Sequence, residues 1–295
     1  MTLLRACITY GFFPGWFCGA MVAALIGFQA GISVPLLLFG IAFTTAGTVA
    51  IVERFHPEHP RWKEYREDVP TDILHVVVSQ GIIPAAVEAG TAALVLGLAL
   101  SAADLLGSAT WPAAWPLGAQ VALAMVVSQL PDYWVHRLGH TTILWRLHAT
   151  HHSSRQLYFL NAARFHPLDT GLSAIVSLGF LLFLGAGEQV LLLVSTWIAV
   201  HGLFQHCNVR LRLGPLNWIF SMAELHRWHH SLRIEEANKN YGNNILLWDI
   251  VFGTVYWPRD RSASPDIGLA EMPDFPQTWW GQLLSPLRWD RFNVT

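Results

Sequence analysis

Three stretches of this chain, residues 6–53, 67–136 and 165–209, contain no lysine or arginine. Soluble domains carry charge on about a quarter of their residues. Here only 13% are charged and 53% are hydrophobic, with a mean hydropathy of +0.38. Residues 12–52 hold no charged residue of either sign, and 41 residues are enough for two spans of about 20 each. Gly27–Gly31 is the expected turn between them. A third apolar run covers about 72–105, with Glu88 inside it and Asp104 at its end. A fourth covers about 113–131. Residues 168–206 hold a fifth and a sixth, divided at Gly185–Glu188. All 18 basic residues lie at position 5, within 54–66, within 137–164, or from 210 onward. With six spans and the N-terminus inside, every one falls on the cytoplasmic face, as the positive-inside rule requires. The expected fold class is all-α: an integral membrane helical bundle with a cytoplasmic, histidine-rich helical cap.

The same map predicts three regions: N-terminal transmembrane helices and their loop over 1–110, a catalytic region over 111–255, and a Trp-rich tail over 256–295. Residues 53–68 are abruptly polar and carry Pro57 and Pro60, so they read as a solvated loop, with His56 and His59 as loop residues. A net charge of −2 gives no reason to expect a nucleic-acid partner. Fourteen tryptophans suit a chain with many bilayer interfaces. Cys7, Cys18 and Cys207 are too few and too scattered for a disulfide framework. No cleavable-signal pattern is expected at the start.

Against this scaffold the histidines stand out. His136, His140, His148, His151 and His152 fall within 17 residues, directly after the fourth apolar run. His226, His229 and His230 repeat the His-x-x-His-His spacing. On a helix, residues three and four apart lie on one side, so each cluster can aim several imidazoles at an ion. A single such element can also serve two neighbouring ions. His206, at the end of the sixth run, is a further candidate ligand. His201 lies five residues earlier, about 140° away on a regular helix, and His166 follows the first cluster; both are open candidates. His75 reads as structural. Asp132, Glu224 and Asp249 are candidates to orient metal-bound histidines through the other ring nitrogen. Tyr241 either lines the site or packs beside it.

So many histidines exceed the four ligands of a structural zinc site, and no His-Glu-x-x-His motif is present to supply a hydrolytic base. They divide naturally between two ions with open positions, an arrangement suited to dioxygen activation. Imidazole binds iron, zinc, copper and nickel alike, so zinc could fill the same ligands. Two non-catalytic readings compete: a membrane b-type cytochrome, which needs paired histidines on facing spans, and a metal transporter or sensor, which needs ligands along a path through the bilayer.

The motifs Asp132-Tyr-Trp-Val-His-Arg-Leu-Gly-His, His148-Ala-Thr-His-His-Ser, Asn161-Ala-Ala-Arg-Phe-His-Pro, Phe204-Gln-His-Cys-Asn-Val, Leu225-His-Arg-Trp-His-His-Ser and Lys239-Asn-Tyr-Gly-Asn-Asn resemble those of the fatty acid hydroxylase superfamily. That group includes sterol desaturases, fatty acid hydroxylases and alkylglycerol monooxygenases. The resemblance covers about 130–255. It implies a membrane-bound non-haem di-iron oxygenase that uses O2 to hydroxylate or desaturate a lipid. It implies metal ligands at His136, His140, His148, His151, His152, His206, His226, His229 and His230. Related chains often pair the late membrane histidine with another four residues away, where this one has Gly202. With no fused haem domain recognised, electrons are expected from a separate donor, such as a ferredoxin or a cytochrome b5-type protein. A composition rich in Ala, Gly and Trp reads as that of a bacterial inner-membrane protein, which favours an acyl lipid over a sterol. A carotenoid is the nearest alternative substrate.

Overall fold

The computed structural model of the chain describes residues 2–63, 67–82 and 110–292. Most of the third apolar run, with Glu88 and Asp104, lies outside the described residues. Among those described, every regular element is helical and only isolated β-bridges occur.

Helix α1 (Leu3–Gln29) starts at Thr2, whose hydroxyl accepts from the Arg5 amide. It ends before Gly31, whose φ of +80° suits a residue without a Cβ. Helix α2 (Val34–Phe55) begins with Pro35, where no helical N–H is lost. The turn between them falls where the glycines predict it. Both helices are long and apolar enough to cross a membrane, and only 22% and 11% of their most apolar windows are buried. The core helix of a soluble protein would be mostly enclosed. Here Tyr10, Val22, Ile26, Phe39, Phe43 and Ile51 face outward instead, and this surface suits lipid.

Helix α3 (Val69–Leu74) runs into a π-helical turn, His75–Ile82. His75 is buried there between Ser79 and Gln282, and is structural. Helix α4 (Leu117–Thr141) does not stop where the apolar run stops. It continues through His136 and His140, so the first histidine pair rides on a rigid extension of the span. Helix α5 (Trp145–His152) follows after a short turn. Helix α6 (Pro167–Phe183) and helix α7 (Glu188–His206) are separated by a turn at Gly185, again with positive φ. Helix α8 (Ala223–His229) carries the last cluster.

Helix α7 is the central strut. Phe13, Phe17 and Val49 of α1 and α2 pack on its Val200 and Phe204. Nearer the other end, Ala24 and Leu37 meet Leu192 and Leu193 with Val121 of α4. The helix ends bearing Arg5, Arg54 and His206 gather together: the Arg212 amide donates to the Thr9 carbonyl, the Glu58 amide to the Asn208 carbonyl, and Thr9 and His56 share a hydrogen bond. The polar segment after α2 is therefore not a solvated loop. Glu53, His56 and Trp62 are buried, and the Glu53 carboxylate accepts from the backbone amides of Phe159 and Asn208. The isolated bridge at Pro57–Val209 and the Asn208 amide side chain on His59 fix its course. Glu53 and Glu58 are satisfied within the fold while Arg54, Arg61 and Lys63 stay exposed, so one side of the segment serves as a floor for the histidine-bearing segments.

Candidate metal centre

Nine histidines converge in two abutting groups. His136 and His140 of α4, His148 and His152 of α5, and His229 of α8 form the first; His151, His206, His226 and His230 form the second. Within each group the potential ligand atoms all lie within 4.8 Å of one another. The partition follows from helical geometry. Residues four apart advance by about 40° and those three apart fall back by about 60°. Thus the pairs 136/140, 148/152 and 226/230 each stay together, while His151 and His229, offset by three, cross to the opposite group. The groups touch: the His152 and His230 rings stack at 4.4 Å between centroids. All but the half-buried His140 are at most 5% exposed.

Six of the nine donate their Nδ1–H to an oxygen. His136 donates to the Tyr241 carbonyl (2.6 Å), His140 to the Asn238 side-chain oxygen (3.1 Å) and His148 to the Asp169 carboxylate (2.8 Å). His151 donates to the Arg164 carbonyl (3.2 Å), His206 to that of Gly202 (2.9 Å) and His229 to that of Lys239 (2.8 Å). Acceptors of this kind dictate the tautomer and leave Nε2 as a bare lone pair. Yet Nε2 of His136 faces Nε2 of His229 at 2.9 Å, and Nε2 of His206 faces that of His151 at 3.2 Å. Lone pair against lone pair is repulsive, and burial blocks relief by protonation. Desolvation, followed by the neighbouring imidazoles, pushes His151, His152, His226, His229 and His230 well below the ordinary histidine value. In the first group the Nε2 atoms of His140, His148 and His152 are buried without any partner among the described residues. A cation in each group resolves all of these conflicts. Two nitrogens on adjacent positions of one ion, each about 2.1 Å away, stand about 3 Å apart, matching the observed separations. The residues present fit two metal ions.

The other predicted site residues fall elsewhere. His201 is fully buried on α7, outside both groups, with neither ring nitrogen partnered among the described residues. His166 caps α6: its Nδ1 accepts from the Leu168 amide and its Nε2–H donates to the Leu283 carbonyl. His59 packs against Trp62. Cys207 is buried and joins neither group. Asp132 accepts from the Asn243 side chain and Glu224 from Leu213 and Asn217; neither touches a clustered histidine. Asp249 acts one step removed. It accepts from the backbone amides of Tyr241 and Gly242 and from the Thr254 hydroxyl, fixing the carbonyl that holds His136. Tyr241 lines the first group, its ring 5.3 Å from His140.

The carboxylate that does meet a histidine, Asp169, escaped sequence reasoning. It lies three residues after His166, and the His-Pro-Leu-Asp run draws attention to the histidine instead. Asp169→Asn is expected to lower metal affinity about 10–100-fold, the usual cost of losing a partner of this kind; competition with a chelator measures it, and an unchanged affinity would refute the role. Gly242 is equally constrained. A Cβ there would overlap the Ile245 carbonyl and lie 2.7 Å from the Asp249 carboxylate. Gly242→Ala is therefore expected to displace the turn and cost about 1–3 kcal/mol, read as a lower thermal midpoint with loss of metal.

The sequence model of the fatty acid hydroxylase family matches residues 121–254. The chain is 36% identical over 270 residues to ornithine lipid hydroxylase OlsE of Rhizobium tropici, covering 90% of this chain and 80% of that protein. It is 29% identical over 191 residues to alkylglycerol monooxygenase of Danio rerio, covering 62% of this chain but only 39% of that protein. A methylsterol monooxygenase of Arabidopsis thaliana, numbered 2-2, is 24% identical over 146 residues, 47% of this chain and 53% of that one. No solved structure matches.

Proposed function

The chain belongs to the fatty acid hydroxylase family, and from that premise we propose that it is a membrane-bound monooxygenase that hydroxylates a C–H bond of an acyl lipid. The observation that carries this reading is the pair of histidine groups, with tautomers fixed so that their Nε2 lone pairs converge. The proposed ligands are His136, His140, His148, His152 and His229 for one ion and His151, His206, His226 and His230 for the other. Iron is the functional metal in this reading, and zinc can occupy the same imidazole ligands in a purified form. When bound, the two irons supply the redox chemistry that activates O2, with electrons from a separate ferredoxin or cytochrome b5-type donor.

The protein's own contribution is positional. Six of the nine imidazoles are held through Nδ1, four by backbone carbonyls, one by the Asn238 side chain and one by Asp169, so these ligands need not reorient as ions bind. The near-complete burial of the cluster keeps bulk water from the reacting carbon. The exposed apolar faces of α1 and α2 let a lipid approach sideways from the bilayer. The proposed topology has six spans, with both termini and the histidine centre on the cytoplasmic side of a bacterial inner membrane. The gathering of Arg5, Arg54 and both histidine groups at one end of the helices supports it. That same gathering speaks against a transport path, which would spread its ligands along the spans.

An ornithine lipid is the first substrate to try, because the relative from Rhizobium tropici, similar over most of both chains, is an ornithine lipid hydroxylase. Comparative lipid mass spectrometry on cells making the protein tests the reading. A lipid that gains one oxygen atom is expected, and its formation is expected to stop with His151→Ala. Product that persists in that variant would remove the proposed centre from the reaction.

A further inference from the structure

Beside the histidine centre, between α4, α7 and the segments around 221 and 244, lies a second set of buried polar side chains that the metal chemistry does not use. Gln129 is seven residues before His136 on α4, two turns or about 10 Å along the axis. Its side-chain oxygen accepts from the Asn244 amide at 3.0 Å. The Ser221 amide donates to the Asn244 carbonyl, and Gln205, next to His206, donates to the Ser221 carbonyl at 2.6 Å. His201 lies one turn before Gln205 and stacks on Phe220, the neighbour of Ser221. Gln129, His201, Ser221 and Asn244 are all at most 4% exposed.

These bonds tie the segments together but leave a defined remainder. The Gln129 Nε2 donor, the Asn244 Oδ1 acceptor, the Ser221 hydroxyl and both ring nitrogens of His201 have no partner among the described residues. Buried polar atoms are rarely left so, and the cost rises in a low-dielectric interior. Interhelical glue would explain the bonds that are made, not the atoms left over. One free donor and one free acceptor, on two hydrogen-bonded carboxamides, match a ligand group that carries an acceptor and a donor on separate atoms.

We propose that this cluster is a binding subsite for the amide group of an N-acylated lipid. The lipid carbonyl accepts from Gln129 Nε2–H, its N–H donates to Asn244 Oδ1, and Ser221 and His201 complete the polar wall. The inference rests on the lipid-oxidising reading and deepens it: the amide anchors the lipid so that a carbon at a fixed distance along the chain lies at the histidine centre. An ester offers no donor and would leave Asn244 Oδ1 unpaired; a site built to hydrogen-bond discriminates against such an analogue.

The test is competition binding to the full-length, metal-loaded protein in lipid nanodiscs, using an N-acyl amino acid lipid and its ester isostere. The wild type is expected to prefer the amide by at least about tenfold. Asn244→Leu is expected to abolish the preference, and Gln129→Leu to reduce it because the amide carbonyl is the stronger acceptor, while metal analysis still shows a loaded centre. Ser221→Ala removes an oxygen that has no partner, so it leaves the packing intact, and it is expected to reduce the preference. Should the leucine variants fail to fold, the wild-type comparison and Ser221→Ala decide. Equal affinity for both lipids in the wild type, or a preference unchanged in the loaded variants, would overturn the subsite and mark the cluster as a hydrated structural layer. Amide-selective binding without any oxygenated product would instead leave the subsite standing and sink the lipid-oxidation reading.

Discussion

Alanine in place of His226 is expected to reduce lipid oxidation to below about 1% of the unsubstituted level and to lower the metal content by about one ion per chain. Losing a group that merely orients a ligand typically costs about 10–100-fold, and losing the ligand itself costs more. The position of His226 makes the effect severe. Its Nε2 lies 2.9 Å from Nε2 of both His206 and His230, so it bridges the members of the four-histidine group. That group has no spare: α7 gives it only His206, and the position one turn earlier is Gly202. The five-histidine group is better provided. His140 is its half-buried member, held only by Asn238, so His140→Ala is expected to retain both ions and a measurable fraction of activity. Metal analysis of the two variants side by side checks this. Equal loss at His140 and His226 would contradict the unequal partition.

The second large effect is expected far from any ligand atom. Arg164 is fully buried against two buried carboxylates, Asp72 through its Nε and Asp68 at 3.1 Å. Tyr158 and Asn161 also donate to Asp72, and Ser154 to Asp68. Removing the cation leaves two carboxylates facing each other in a dry interior, and breaking such a buried pair typically costs about 3–5 kcal/mol. A typical domain has only about 5–15 kcal/mol in hand. Arg164→Met is therefore expected to accumulate poorly and to melt well below the wild type. Because the Arg164 carbonyl holds the His151 ring, metal should be lost with it. Adding Asp68→Asn and Asp72→Asn to the same chain removes the stranded charges and is expected to restore part of the stability. A single variant that melts within about 1 kcal/mol of wild type would show that water already reaches the cluster, since exposed pairs contribute only about that much.

How much of this the sequence makes legible depends on the range of the interaction. The turns at Gly31 and Gly185, the long helices and the nine clustered histidines follow from local pattern, because a helix fixes which residues share a side. Helical angles put each His-x-x-His-His triplet on one side and allow it to serve two ions. They do not say which distant segment each one joins, since that depends on how α5 and α8 cross. The orienting groups are less legible still. Asp132 shares a side of α4 with His136, yet its nearest partner is Asn243, brought in from more than a hundred residues away. Asp169 meets His148 only because α6 folds back along α5. Backbone carbonyls do most of the orienting, and a carbonyl has no signature in a sequence. The segment after α2 misleads for a related reason: its acids look solvated in one dimension, yet Glu53 meets the amides of Phe159 and Asn208 and Glu58 meets Arg212 in three.

The crossing-over of His151 and His229 has a consequence for how the protein acquires its ions. Each His-x-x-His-His segment contributes to both groups, so neither group can close before α5 and α8 have docked. Once one ion draws the two helices together, the second finds most of its ligands already in place. Loading is therefore expected to be cooperative. Titration of the metal-free protein should pass from empty to doubly loaded with little of the singly loaded form between, and removal by a chelator should follow the same path in reverse. By the same interlock, ions bound in both groups would cross-link α4, α5, α7 and α8, so that occupancy is expected to raise the stability of this end of the bundle.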